Sequence, residues 1–257
     1  MFIAACSGSK NPEATPLPYG AETSVMDVYN LAQEALDQDQ RVLIIFIDGF
    51  GYWSYESALE RGDIPNLASF ESSRASSVMP TITPVNYAAM VTGKPPEENG
   101  VVDRKVHRTS CDTIFDYALS LDKTAIIIEG DAQILAFSAR QELNPDLDGD
   151  GGTDNEVFDC AIAAMNDNYD LMLVHFHGID DMGHLTGPDS DETRAMIRLM
   201  DEYVGQLISK WGGFGIAVAD HGQHENDGNG DAAYADKRGI HGSDAESDII
   251  IPLLTLR

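Results

Sequence analysis

Six consecutive apolar residues, Val42-Leu43-Ile44-Ile45-Phe46-Ile47, follow Arg41 and stop abruptly at Asp48-Gly49. A run with no polar residue at alternate positions has no wet face, so it predicts a strand covered on both sides, as in a parallel sheet. The pattern returns in Lys123 to Ile128, Leu171 to Phe176 and Gly215 to Ala219, and Ile249 to Leu254 closes the chain. Between these runs lie segments with helical spacing: Glu22 to Asp37, where Val25, Val28, Tyr29, Ala32 and Leu36 make one apolar stripe, then Tyr52 to Arg61, Asp112 to Leu121, Glu156 to Asn166 and Asp191 to Leu207. Strands alternating with helices imply an α/β fold, a mainly parallel central sheet with helices on both faces. The 257 residues suit one such domain over residues 21–257, after a small, polar, Pro-containing tether at 1–20.

In sheets of this kind ligands collect beyond the carboxyl ends of the strands. The polar residues just past those ends are Asp48, then His177, Asp180 and His184, then Asp220 and His221. Any one Asp there can simply cap the next helix. Asp220-His221-Gly222 does more, because it puts two ligand types in one turn where glycine lets the backbone double back. Asp180 and His184 are four residues apart, so one helical turn brings an oxygen and a nitrogen ligand to the same side. His241, in Gly239-Ile240-His241-Gly242, has no apolar pattern around it that would make it core. A nucleophile is available in Met79-Pro80-Thr81-Ile82-Thr83-Pro84, where Thr83 reads as a helix N-cap with proline at the first helical position, facing the positive end of the helix dipole. The Asp and His residues suffice for two divalent ions beside that hydroxyl, an arrangement able to clamp the attacking and leaving oxygens of a phosphoryl transfer.

The formal charge of -27 argues against nucleic-acid or anionic-membrane surfaces, which require clustered Lys and Arg. It would also repel an anionic substrate unless bound cations reversed the local field, so charge and chemistry call for metals together. Three cysteines, Cys6, Cys111 and Cys160, are too few and too scattered for a disulfide framework, and whether Cys111 and Cys160 approach each other is open. Ile3-Ala4-Ala5-Cys6 with the Ser/Pro-containing stretch after it resembles a bacterial lipoprotein cleavage box, although only five residues precede the cysteine. A real box implies an extracytoplasmic protein anchored by lipid at Cys6; a chance match leaves a cytoplasmic one.

The ordered set Ile47-Asp48-Gly49-Phe50, Thr83-Pro84-Val85-Asn86-Tyr87 with Val91-Thr92-Gly93, Pro96 to Val101, Asp180 to His184 with Gly187-Pro188, Asp220-His221-Gly222 and His241-Gly242 resembles the alkaline phosphatase superfamily, in particular its nucleotide pyrophosphatase/phosphodiesterase branch. The resemblance implies that Asp48, Asp220, His221 and the Thr83 oxygen hold one metal, and that Asp180, His184 and His241 hold the other. It implies a phosphoester hydrolase working through a phosphothreonine at Thr83 on a small-molecule phosphoester or nucleotide. Mixed Asp/His ligation fits zinc, with manganese as the alternative. Two further readings share the motifs: a phosphoryl transferase or mutase that passes the group to an alcohol, and a non-catalytic metal-containing surface binding protein.

The chain departs from the branch at Gly100-Val101-Val102-Asp103-Arg104, where the diesterases usually carry asparagine after the aspartate. An arginine forks two oxygens with a full charge, which suits a phosphomonoester dianion, so Arg104 is expected to bind substrate together with Asn86. Asp146, Asp148 and Asp150, followed by Asp154 and Glu156, resemble a calcium loop whose last glutamate falls one position early. If the strand runs on past Phe176, His175 and His177 share a face, with His177 the one far enough out to contact substrate or support a ligand and a structural role open to either. Phe50, Tyr52 and Trp53 either stack on a leaving group or pack as core.

Overall fold

A computed structural model describes residues 16–228 and 235–256. Its main sheet has the strand order β1-β3-β10-β7-β2-β6-β4-β5, with β1 Thr23–Ser24, β2 Val42–Ile47, β3 Glu71–Ser76, β4 Ala125–Glu129, β5 Arg140–Leu143, β6 Leu171–Phe176, β7 Phe214–Ala219 and β10 Ile250–Leu256. β10 alone runs antiparallel, between β3 and β7. The four expected parallel strands lie side by side as β7-β2-β6-β4, and every residue of β2, β4 and β6 is buried. Their apolar runs are what a sheet covered on both faces requires.

β1, β3 and β5 had no such signal. β3 reads Glu-Ser-Ser-Arg-Ala-Ser and β5 reads Arg-Gln-Glu-Leu, and both lie at or next to a sheet edge, where side chains reach water and apolar runs are unnecessary. The strand β1 also takes the start of the expected Glu22–Asp37 helix, leaving α1 as Asp27–Asp37. Asp27 explains the boundary: its carboxylate accepts the Thr23 hydroxyl at 2.6 Å and the Ser24 N–H at 2.9 Å, which ties the strand off just before the helix.

The other helices follow the expected segments closely: α2 Tyr52–Arg61, α5 Ile114–Ser120, α6 Asp154–Ala164 and α8 Asp191–Trp211. Thr113 and Asp116 form a reciprocal capping box at α5. α3, Thr83–Thr92, is buried along its whole length, and α4, Pro96–Asn99, follows it. α7 is Gly178–Thr186; the short β8 His224–Glu225 and β9 Gly239–Ile240 pair with each other, and α9 Glu246–Ile249 precedes β10. Among the described residues no helix is long and apolar enough to cross a membrane. The lipoprotein-like box at Cys6 lies outside the described residues, while Cys111 and Cys160 are free thiols.

The register decides where the chemistry lies. Ile47 pairs with Phe176 on one side and Ala219 on the other, so Asp48, His177 and Asp220 leave three adjacent strands at one level.

Candidate active site

Gly49 sits at φ 74°, and a Cβ there would come within 2.8 Å of the Asp180 backbone and side chain. Glycine therefore lets α7 close down on the end of β2. Its N–H donates to Asp220 Oδ1 at 3.1 Å, and the His221 N–H donates to the same oxygen at 2.8 Å. The two backbone bonds hold one oxygen of Asp220 and leave Oδ2 buried with no hydrogen bond, 3.2 Å from His221 Nε2. Asp48 Oδ1 is likewise buried and unbonded, 3.4 Å from the same His221 nitrogen.

One helical turn joins Asp180 and His184, Oδ2 to Nε2 at 3.1 Å, and His241 Nε2 lies 3.7 Å from Asp180 Oδ1. The imidazoles are oriented alike. Nδ1 of His184 contacts the Gly239 carbonyl at 2.7 Å, that of His241 the Thr81 carbonyl at 2.8 Å and that of His221 the Gly222 carbonyl at 3.2 Å. A carbonyl only accepts, so each Nδ1 must carry a proton, and each Nε2 is turned toward the carboxylates. His221 and His241 stack with centroids 3.7 Å apart, bringing the two ligand groups together.

Thr83 lies against this cluster, its Oγ1 3.4 Å from Asp48 Oδ2. The expected N-cap is one residue off: Ile82 holds the cap, Thr83 and Pro84 are the first two helical residues, and the Thr83 hydroxyl makes no capping bond. The hydroxyl is thus left to the site.

Burial dominates the electrostatics. It raises Asp220 to about 6 and lifts Asp48 well above the usual carboxylate range, with neighbouring carboxylates adding to the Asp48 shift. It pushes His221 and His241 down to about 4. Burial would raise Asp180 too, but its hydrogen bond to His184 and the nearby imidazoles outweigh that and lower it. Among the described residues, the ion-pair partners of Asp48, Asp180 and Asp220 are all histidines. Burial would lower His184 as well, but hydrogen bonding and charge from Asp180 raise it instead. Three buried carboxylates facing imidazoles of which two resist protonation are costly in isolation, and divalent cations offset that cost. The donor set fits such ions: Asp180, His221 and His241 place one ligand atom each within 4.8 Å of one another, as do Asp48, Asp220 and His221.

Residues 42–124 and 130–244 match the family model described as type I phosphodiesterase / nucleotide pyrophosphatase. The chain belongs to that family. Human ectonucleotide pyrophosphatase/phosphodiesterase family member 7 is 27% identical over 199 residues, covering 65% of this chain and 43% of the relative. GPI ethanolamine phosphate transferase 3 of Schizosaccharomyces pombe is 31% identical over 108 residues, covering 41% of this chain and 10% of that protein. The chain therefore spans less than half the length of either curated relative. Among solved structures, murine ectonucleotide pyrophosphatase/phosphodiesterase 5 superposes with a TM-score of 0.63 at 15% identity, over 84% of this chain and 88% of that one. Its inactive threonine-to-alanine form in complex with AMP superposes equally well, with a TM-score of 0.63. At that identity the likeness concerns the fold.

Other residues read from the sequence stand apart from this family core. Arg104 is exposed, and its charge is among those that depress the His221 pKa, so it lies on the site's side of the molecule. Asn86, expected to touch substrate, has its amide committed elsewhere. Its Oδ1 accepts from the Val78 N–H at 2.7 Å and its Nδ2 donates to the Val78 carbonyl at 3.1 Å, which pins the loop leading into Thr83.

The calcium loop divides. Asp146, Asp148 and Asp150 cluster at the surface, but Asp154 is buried and accepts the His177 and Gly178 N–H groups at 2.9 and 3.0 Å, capping α7. Glu156 accepts the Leu147 N–H at 3.1 Å. Phe50 is buried edge-on against Tyr55, and the Trp53 indole donates to the Gln223 carbonyl, so these aromatics pack the fold.

Gln223 and Asp248 were not singled out in the sequence. The Gln223 amide donates to the Asp180 carboxylate and to its carbonyl at 3.0 Å. Asp248 accepts from the Ser243 N–H at 3.0 Å and from its hydroxyl at 2.7 Å, bracing the loop that carries His241.

Proposed function

We propose that this chain is a metal-dependent phosphoester hydrolase in which Thr83 is the nucleophile. The observation that carries the reading is the set of three Nδ1–carbonyl bonds, which turns three imidazole Nε2 atoms toward the carboxylates of Asp48, Asp180 and Asp220, two of whose oxygens are buried and unbonded, beside the Thr83 hydroxyl. Asp48, Asp220, His221 and Thr83 would hold one cation, and Asp180, His184 and His241 the other. Zinc suits this mixture of nitrogen and oxygen donors, with manganese as the alternative. When bound, such ions supply positive charge to the phosphoryl oxygens and lower the pKa of coordinated hydroxyls and water.

The side chains divide the remaining work. Thr83 Oγ1 attacks phosphorus in line with the departing oxygen: the P–O bond to the leaving group breaks, the hydroxyl proton passes to solvent, the departing oxygen takes a proton from water, and a second water hydrolyses the phosphothreonine, returning the Thr83 hydroxyl and releasing the phosphate product. Asp48, 3.4 Å away, orients the hydroxyl. Arg104 receives the non-bridging oxygens and favours a monoester dianion. The AMP complex of the murine structural relative supports a nucleotide or similar small phosphoester as substrate. The test is Thr83→Ala: turnover should disappear while bound metal stays close to the wild-type amount, and unchanged turnover would remove the threonine mechanism.

A second reading, a phosphoryl transferase or mutase, draws on the similarity to an ethanolamine phosphate transferase. Product analysis with an added alcohol separates the two, since transfer to that acceptor in preference to water would favour the transferase. Lipid anchoring at Cys6, and with it an extracytoplasmic location, is tested by mass analysis of membrane fractions.

A further inference from the structure

Arg104, Lys105 and Arg108 crowd into one short loop of a chain whose net charge is -27, and all three are exposed. Where carboxylates are so abundant a surface cation ordinarily finds one, as Arg61, Arg74, Lys123, Arg140 and Arg194 do. Among the described residues the three loop side chains pair with no carboxylate. Even Asp103 beside them is engaged by backbone: its Oδ1 accepts the Lys105 N–H at 2.8 Å, and its carbonyl accepts the Val106 N–H at 3.4 Å. Arg104 and Lys105 are thus the two corner residues of a turn. The loop is firmly held. Its neck is closed by the Ser110 N–H on the Asn99 carbonyl at 2.7 Å and by the Val101 N–H on Asn99 Oδ1 at 2.8 Å. Its outer part docks through His107, whose carbonyl accepts the Ala136 N–H at 2.8 Å and whose Nδ1 lies 3.2 Å from the Ile134 carbonyl. The segment it docks on leaves the sheet where β4 ends, and because Ile128 pairs with Val174 it emerges at the rim that carries His177. A Cβ on Gly130 would come within 3.5 Å of the His177 ring, whose Nδ1 is 3.1 Å from Asp48. In keeping with that placement, the Arg104 charge reaches the buried His221.

We propose that this loop reads a second anionic group on the substrate: with the reacting phosphoryl group at Thr83 and Arg104, the side chains of Lys105 and Arg108 take a phosphate or carboxylate carried farther along the same molecule. The substrate class is then a phosphomonoester with a second anion, such as a bisphosphate or a phosphorylated acid. The assignment rests on the hydrolase reading above and adds which esters that site selects. An ester with one phosphate engages Arg104 alone. One with two anions meets all three cations, which concentrate positive potential at this rim of an otherwise acidic surface. Lys105 offers a point charge and Arg108 a planar fork, so the pair accepts either kind of anion. Exposed ion pairs are individually weak and are screened by salt, so the selectivity should be about tenfold and should fall as ionic strength rises.

The experiment compares kcat/KM of the metal-loaded full chain on butyl phosphate, its terminal carboxylate analogue and the terminal bisphosphate of butanediol, three esters with the same leaving oxygen. Wild type should favour the doubly anionic esters about tenfold over butyl phosphate. Lys105→Ala combined with Arg108→Ala should bring that ratio close to one. Arg61→Gln combined with Arg140→Gln, which removes the same charge from α2 and β5, should preserve it. A ratio near one in wild type overturns the proposal, as does a ratio that survives the loop substitutions or falls equally in the control pair. A preference confined to the bisphosphate identifies phosphate as the second group, and one shared by the carboxylate analogue identifies any anion. If no ester is turned over, the hydrolase reading fails and binding decides. Calorimetric titration with the nonhydrolysable bisphosphonate and monophosphonate of the same chain length should then show the same ratio, lost only in the loop variant, and equal affinities would overturn the proposal.

Discussion

The molecule gathers three aspartates in two places, and the two behave as opposites. Asp48, Asp180 and Asp220 are buried at the carboxyl ends of the strands, face imidazoles, and include two oxygens that bond to nothing. Asp146, Asp148 and Asp150 are exposed and turn their oxygens back onto their own loop. Asp146 accepts the Gly149 and Gly151 N–H groups at 2.7 and 3.1 Å, and Asp148 accepts that of Asp150 at 3.0 Å and the Asn155 amide at 2.9 Å. Carboxylate density is therefore a poor guide to an ion site. What separates the two clusters is whether protein donors already meet the oxygens and whether water can screen the charges.

Four measurements sharpen or break this contrast. The largest effect is expected of Thr83→Ala, which should lower kcat by on the order of 1,000-fold or more while leaving metal content nearly intact, as for loss of a covalent nucleophile. Metal analysis beside steady-state kinetics checks it.

Next comes Asp220→Asn, whose effect on stability should change sign with metal. The folded-state pKa of Asp220, about 6, lies above its ordinary value of 3.8, so the folded chain holds the proton more tightly. Its contribution to stability is therefore lost as pH rises through about 6. In the metal-free protein the substitution should stabilise the fold by about 3 kcal/mol above pH 6, and the gain should vanish near pH 4. With metal present the order reverses, because a ligand has gone. Urea unfolding with and without chelator reads both arms, and a stabilised chain that still holds its full metal complement would contradict the ligand assignment.

A smaller, selective effect is expected at the rim. Arg104→Asn should depress hydrolysis of an aryl phosphomonoester about tenfold more than that of the matching diester. Equal losses would show that Arg104 does not read the substrate's charge. Smallest of all, Asp148→Asn should leave the metal count unchanged and shift stability by less than about 0.5 kcal/mol, as for an ordinary surface site. Added calcium should not raise the melting temperature; a clear rise would restore the surface loop as an ion site.

Legibility in the sequence followed burial. The four central parallel strands declared themselves because both their faces are covered, and Asp48, Asp180, His184, Asp220 and His221 could be placed by the strand or helical turn that carries them. Edge strands β3 and β5 had no such signature. Asn86 and Asp154 share a use that the sequence does not announce: each is a short polar side chain accepting from backbone N–H groups of another segment, Val78 in one case and the start of α7 in the other. Nothing local distinguishes that use from ligand binding. Gln223 and Asp248 act by proximity to residues far away in the chain, so no spacing rule reveals them.

The order of apolar runs and the residues that end them determined, without coordinates, that this is an α/β chain with acidic and imidazole groups at one end of its sheet. Only the folded structure decided which nitrogen of each histidine faces inward, which carboxylate oxygens go unbonded, and that the Arg104 loop docks on the segment after β4. Those facts depend on backbone carbonyls and strand register contributed by distant segments, and hydrogen bonds of that reach are set by packing in three dimensions.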